Sequence, residues 1–138
     1  KMVKKVLFVC QYNRFRRRIA ESYFKKINKN KKRQIKSAGI IKGDAVNKKV
    51  IDIAKEYGLN IKGQTKSLEE KILLEYNLIV VVADNVPKNF FRRFYSKLIY
   101  IPIKDANAKN EEEVRKIIKE IINKLNKLNK TINNKIWK

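Results

Sequence analysis

The 138-residue chain carries 35 Lys and Arg against 13 Asp and Glu, a formal net charge of +22, with 43% apolar residues and one cysteine. That length and apolar share suit one packed domain. No run approaches the ~18 apolar residues of a membrane span, and a single cysteine excludes an internal disulfide framework. With no N-terminal stretch patterned as a secretory signal, a reducing, cytoplasmic setting is expected.

Residues 3–9 form a continuous apolar run suited to a strand buried on both faces. Ile19, Tyr23, Phe24 and Ile27 then recur at helical spacing, and residues 34–38 read as a second strand after a basic connection. Asn47 starts a helix whose inner face holds Val50, Ile53, Ala54 and Tyr57, and Gly58 ends it. Ser67 with Glu70 makes a capping-box pattern for a short helix through Leu74. Residues 78–83 are the most strand-like segment, and Pro87 opens a short helix placing Phe90, Phe91 and Phe94 toward the core. A fourth strand spans 98–103. A long amphipathic helix spans 111–128, with Val114, Ile117, Ile118, Ile121, Leu125 and Leu128 on one face and three glutamates leading it. Strands alternating with helices imply an α/β fold: a three-layer α/β/α sandwich around a central four-stranded parallel sheet.

The most informative spacing is a Cys-x5-Arg, Cys10 to Arg16, at the junction of the first strand and first helix. Backbone N–H groups of a tight loop converge on one point there, and the helix N-terminus adds partial positive charge. Cys10 in that field is expected as a thiolate, the nucleophilic form. Arg16 offers a planar fork that fits two phosphate oxygens. Ligands of such sheets lie beyond the carboxyl ends of the strands, where this loop falls. Arg14, Arg16, Arg17 and Arg18 crowd the loop and first turn, although cations there oppose the helix dipole. The alternative for Arg14, Arg17 and Arg18 is that they simply face water.

The stretch Val9-Cys10-Gln11-Tyr12-Asn13-Arg14-Phe15-Arg16-Arg17-Arg18-Ile19-Ala20-Glu21 resembles the signature of the low-molecular-weight protein tyrosine phosphatases, which thioredoxin-coupled arsenate reductases share. Ser37-Ala38-Gly39, then Tyr57-Gly58-Leu59-Asn60-Ile61-Lys62-Gly63-Gln64-Thr65, then Asp84-Asn85 after the third strand, follow as further landmarks in order. The resemblance implies one phosphatase-like domain over residues 1–128, with 129–138 as a basic polar tail. It implies a phosphoester hydrolase working through a phosphocysteine. Cys10 is the nucleophile and Arg16 the phosphate clamp; Gln11, Tyr12, Asn13, Arg14, Phe15 and Arg17 line the phosphate loop. Asn13 holds the loop geometry with support from Ser37. The general acid falls just after the last strand, at Asp105, with Asp84 as the alternative. Asp105 as an ordinary turn residue, and Asn13 as a generic loop asparagine, are the plainer readings. Neither metal nor cofactor is expected.

The chain departs from the pattern at several points. Tyr12 stands where the family keeps a small residue, Arg17 replaces its serine, Arg18 a common proline, and Ala106 the proline after the acid. No cysteine follows the third strand, so the reductases' internal thiol relay is not expected. The expected partner is a phosphorylated protein or small phosphoester. A second reading is a catalytically weakened relative that binds phosphorylated ligands or nucleic acid through its arginine-rich cradle, favoured by Tyr12, Arg17, Ala106 and the +22 charge.

Overall fold

The structure, a computed structural model, describes residues 3–12, 15–41, 46–61, 69–105 and 110–134. Strand β1 (Lys5–Tyr12) is central, with β2 (Gln34–Ile41) on one side and β3 (Leu78–Val82) then β4 (Leu98–Ile101) on the other, all parallel. Its side chains alternate between faces, as extended backbone requires. Val6 and Phe8 pack with Leu78, Val80 and Val82 against one set of helices, while Leu7 and Val9 pack with Ile79 and Val81 on the opposite face. Both faces are therefore covered, which explains why the strands read as unbroken apolar runs rather than alternating ones.

The first face receives α1 (Arg16–Ile27), α2 (Lys48–Glu56) and α4 (Glu111–Asn134) through Ile19, Phe24, Val50, Ile53, Val114, Ile118 and Ile121. Phe8 and Phe24 meet edge to face at 5.5 Å. The second face receives α3 (Glu70–Glu75) through Leu73 and a 3-10 segment (Lys88–Lys97) through Phe91 and Phe94. These layers match the expected sandwich.

Local signals explain the element ends. The Asn47 side chain accepts the Lys49 N–H at 2.8 Å and caps α2. At its other end Leu59 N–H bonds to Ala54 O and Gly58 N–H to Lys55 O, each at 3.0 Å, a Schellman closure that needs the positive φ of Gly58, +72°. An asparagine also caps α4: Asn110 Oδ1 accepts the Glu113 N–H at 3.1 Å. Arg115 ties that helix to α2 by donating to both Glu56 carboxylate oxygens at 3.1 and 3.0 Å.

Several boundaries differ from the sequence reading: β3 ends at Val82 rather than 83 and β4 at Ile101 rather than 103. β1 runs on through Cys10 to Tyr12, because Gly39 and Ile41 of a longer β2 continue to pair with it. α3 begins only at Glu70, and Ser67 lies outside the described residues. The segment after Pro87 is 3-10 rather than α and is broken at Phe91 and Phe94. Three residues per turn bring Phe91 and Phe94 to the same side and leave Phe90 49% exposed, so Phe90 is not a core residue. Finally, α4 continues past Leu128, where the polar tail is expected to begin, to Asn134, and Ile132 is buried.

Asn77, just before β3, fastens the sheet's lower edge. Its Oδ1 accepts the N–H groups of Lys4 and Lys5 at 3.1 and 2.8 Å. Asn77→Ala should lower unfolding free energy by about 1 kcal/mol, since two backbone donors lose their partner close to solvent. A urea unfolding curve checks it through the midpoint, with an unchanged slope.

Candidate active site

Going from β1 to β2 the chain moves to one side of the sheet, and from β3 to β4 to the other. The crevice at the carboxyl ends of β1 and β3 is thus a topological switch point. Cys10 lies there, one residue beyond the Val9–Val81 pairing. Asp84 and Asn85 follow β3, Asp105 follows β4, and Arg16 opens α1. Asn13 and Arg14, and with them the tip of the phosphate loop, lie outside the described residues, as does Ala106. Of Tyr12 only the backbone is described.

Arg16 joins these segments. Its side chain is 2% exposed. Nη1 donates to the Ile103 carbonyl at 2.9 Å and Nη2 to Asn85 Oδ1 at 3.1 Å. Asn85 in turn donates to Gln11 Oε1 at 2.6 Å, closing the ring back onto the loop after Cys10. Asp84 Oδ1 stands 3.5 Å from Nη1 and Asp105 Oδ1 3.6 Å from Nε. The neutral acceptors are at hydrogen-bond distance and hold the plane of the fork. The two carboxylates are beyond it and contribute charge alone. The expected clamp and both candidate acids therefore meet, and the remaining N–H edges of Arg16 point to where the carboxylates now sit.

Cys10 is 1% exposed and in no disulfide. Burial, the largest influence, pushes its thiol above the ordinary value. The backbone N–H of Arg17 and the charges of Arg16 and Arg17 pull it back down, while Asp105 adds to the upward push. The expectation of a depressed thiol is thus corrected: desolvation outweighs the cations around it.

Arg17 does not face water. It is 1% exposed, and Nη1 donates to Ser37 Oγ. Ser37 donates to Glu21 Oε1, which lies 3.9 Å from Arg17 Nη1, while Glu21 Oε2 accepts from Lys25 at 2.8 Å. Burial, with a smaller push from the neighbouring Arg18 and against the pull of Cys10 and Glu21, brings Arg17 down to about 10, so it stays charged at neutral pH. Although burial pushes Glu21 up, hydrogen bonds from Lys25 and Ser37 and the charges of Lys25 and Arg17 bring its carboxyl below the ordinary value. Arg17, expected on the phosphate, thus lies against Ser37 and Glu21. Ser37 is bonded to Arg17 and Glu21, and its expected support of Asn13 falls on a residue outside the described ones. Phe15 is buried and its carbonyl accepts the N–H groups of Arg18 and Ile19, starting α1 without a side-chain cap.

Two participants stand in the quoted motifs without a role assigned to them there. Asn85 holds the fork of Arg16, and its signal is its place at the carboxyl end of a strand beside β1. Glu21 is signalled by its i,i+4 spacing from Arg17 on one helix face. Among the described residues no cluster of three or more His, Cys, Asp or Glu could hold a metal ion, and no helix is long and apolar enough to cross a membrane.

Comparison with known proteins agrees with this fold. The family described as low molecular weight phosphotyrosine protein phosphatase matches residues 5–137. Arsenate reductase 2 of Staphylococcus epidermidis is 34% identical over 87 residues, 62% of this chain, and the chain spans 65% of that relative's length. The arsenate reductase of Archaeoglobus fulgidus superposes with a TM-score of 0.73 at 29% identity, over 90% of this chain and 98% of that one. The low molecular weight protein tyrosine phosphatase of T. tengcongensis superposes at 0.81 with 24% identity, over 93% and 99%, a likeness of fold.

Proposed function

The chain belongs to the low molecular weight phosphotyrosine protein phosphatase family, and from that premise we propose that it hydrolyses phosphate monoesters through a phosphocysteine formed on Cys10. The Cys10 thiolate attacks phosphorus and the bond to the leaving oxygen breaks. Arg16 holds two of the non-bridging oxygens in its fork. Asp105, as the carboxylic acid, gives its proton to the leaving oxygen. As the carboxylate it then takes a proton from the water that splits the S–P bond, which releases phosphate and restores both the Cys10 thiolate and the acid form of Asp105. Phosphotyrosine or another small phosphoester fits the reading equally, and the lone cysteine fits a reducing, cytoplasmic setting.

One observation carries it: a buried arginine six positions after Cys10 gathers the carboxylates that follow β3 and β4. A dianionic phosphoryl group entering the crevice competes with Asp84 and Asp105 for Arg16, and protonating Asp105 removes one of the competitors. Acid catalysis and substrate binding thereby favour the same protonation state.

Arsenate reduction, the activity in the names of the Staphylococcus and Archaeoglobus proteins, is the weaker reading. The 138 residues hold one thiol, so a relay through further cysteines needs an external thiol at every step. The second reading, a binding protein with weakened chemistry, is favoured by the burial that pushes the Cys10 thiol above its ordinary value.

Hydrolysis of a simple aryl phosphate between about pH 5 and 8 tests the proposal. The native protein should turn over and Cys10→Ser should not. A native protein that binds vanadate without turnover transfers the assignment to the binding reading.

A further inference from the structure

Among the described residues, the large apolar side chains that stay exposed fall on one layer. Leu74, Phe90 and Tyr95 are 61%, 49% and 49% exposed, and all three belong to α3 and the 3-10 segment on the second face of the sheet. Scattered single residues of this kind mean little, but several on one surface mark an interaction site. A groove of about 420 Å³ runs there, lined by Leu73, Phe90 and Phe94 together with the exposed Glu70, Arg92 and Arg93. None of the crevice residues Cys10, Arg16, Asp84, Asn85 or Asp105 lines it. The groove is formed before any ligand arrives. Phe91 and Phe94 seat the 3-10 segment in the core, Lys97 donates to the Tyr76 carbonyl at 2.6 Å, and Arg93 donates to Glu70. Phe90 meets Phe91 edge to face at 5.0 Å, which fixes its ring while half of the side chain stays open. The charge of the groove is one-sided: Glu70 is taken by Arg93, and Arg92 pairs with no acid among the described residues.

We propose that this groove docks an acidic segment of a protein partner, which inserts one bulky apolar side chain against Leu73 and Phe90 and sets its carboxylates against Arg92 and Arg93. An aromatic centre flanked by arginines is the composition that carries binding energy at protein interfaces. Charge selects the occupant. An acidic segment is drawn to a chain of net charge +22, whereas a second copy carries the same +22 and is repelled. Single-stranded nucleic acid shares the negative charge but binds by stacking its bases on open ring faces. Phe94 is 7% exposed, with Arg93 and Lys97 at 6.0 and 5.4 Å from its ring centre, so among the lining residues Phe90 alone offers a base an open ring. A concave apolar site with one such ring suits a single inserted side chain better than a run of stacked bases.

Fluorescence anisotropy on the whole chain tests this with a labelled peptide of three glutamates, one phenylalanine and three glutamates, beside the same peptide with alanine at its centre. The phenylalanine peptide should bind about tenfold tighter. Phe90→Ala should remove that advantage, and Arg92→Glu should weaken the phenylalanine peptide about tenfold at ~0.15 M salt. Both side chains are exposed, so the urea midpoints of these variants should stay near native. Arg16→Met should leave the peptide bound, which separates the groove from the crevice. A phenylalanine peptide that does not bind, equal binding of the two peptides, or a preference that survives Phe90→Ala overturns the proposal, the last two leaving only general attraction to the net charge. Loss of binding in Arg16→Met overturns it by moving the peptide to the crevice. A labelled oligothymidine that Phe90→Ala weakens more than it weakens the peptide, or a native dimer that Phe90→Ala separates, overturns it by naming another occupant. None of these readouts uses turnover, so the groove stands or falls independently of the phosphatase reading.

Discussion

Arg16→Met should lower kcat/KM for an aryl phosphate by about a thousandfold or more, with the larger share of the loss in kcat. Removing one donor from a preorganised oxyanion site costs about a hundred- to a thousandfold, and losing an arginine that stabilises a phosphoryl transition state costs about a thousandfold to a hundred-thousandfold. Arg16 is such a preorganised group. Its plane is held by the Ile103 carbonyl and Asn85 at 2.9 and 3.1 Å before any ligand arrives. Only the carboxylates at 3.5 and 3.6 Å need yield to phosphate. Methionine preserves much of the side-chain volume, but it strands the Ile103 carbonyl at a cost of about 1–3 kcal/mol. Arg16→Lys separates charge from shape: it restores a cation without the fork, so it should recover binding more than kcat. Steady-state kinetics on all three proteins, beside their urea midpoints, checks this. A Met variant within tenfold of native would remove Arg16 from the chemistry.

The sandwich was legible because its evidence is local and repeated. Residues 78–82 are buried throughout and read as an unbroken apolar run, and Asn47 and Gly58 bracket α2 by backbone geometry that their side chains dictate. Cys10, Arg16 and Asp105 were legible for a different reason: each lies at a strand end or helix start, where the topology brings segments together. What spacing does not carry is the direction a side chain takes and the cost of its surroundings. Arg17 could bind phosphate, face water or turn inward, and only the packing of β2 against α1 brings Ser37 within its reach, between it and its i,i+4 neighbour Glu21. The same packing buries Cys10 deeply enough for desolvation to outweigh two guanidiniums, which no count of nearby arginines reveals. Phe90 fell outside the core because a 3-10 turn advances by three residues and not 3.6.

Asp105→Asn should produce a loss that depends on the leaving group, and this pattern separates it from Asp84. Both carboxylates reach Arg16 and both are about half exposed, at 44% and 45%, so each can swing toward a substrate. They differ in what lies beside them. Asp105 stands at Nε of Arg16, and its charge also acts on Cys10. Asp84 stands at Nη1, the nitrogen already bonded to the Ile103 carbonyl. A general acid contributes about a hundred- to ten-thousandfold when the departing oxygen is basic. Little of that is needed when the oxygen leaves readily as an anion. Asp105→Asn should therefore lower kcat by about a hundredfold or more for phenyl phosphate and by far less for a nitro-substituted aryl phosphate. Asp84→Asn should lower both by similar, smaller factors, because it changes only the charge around Arg16. Removing Asp105 also removes its upward push on the Cys10 thiol, so the variant should form phosphocysteine readily from the activated ester and hydrolyse it slowly. Rapid-mixing measurements should then show a burst of nitrophenol ahead of a slow steady state. A leaving-group-dependent loss in Asp84→Asn with none in Asp105→Asn would exchange the two roles and leave Cys10 and Arg16 in theirs.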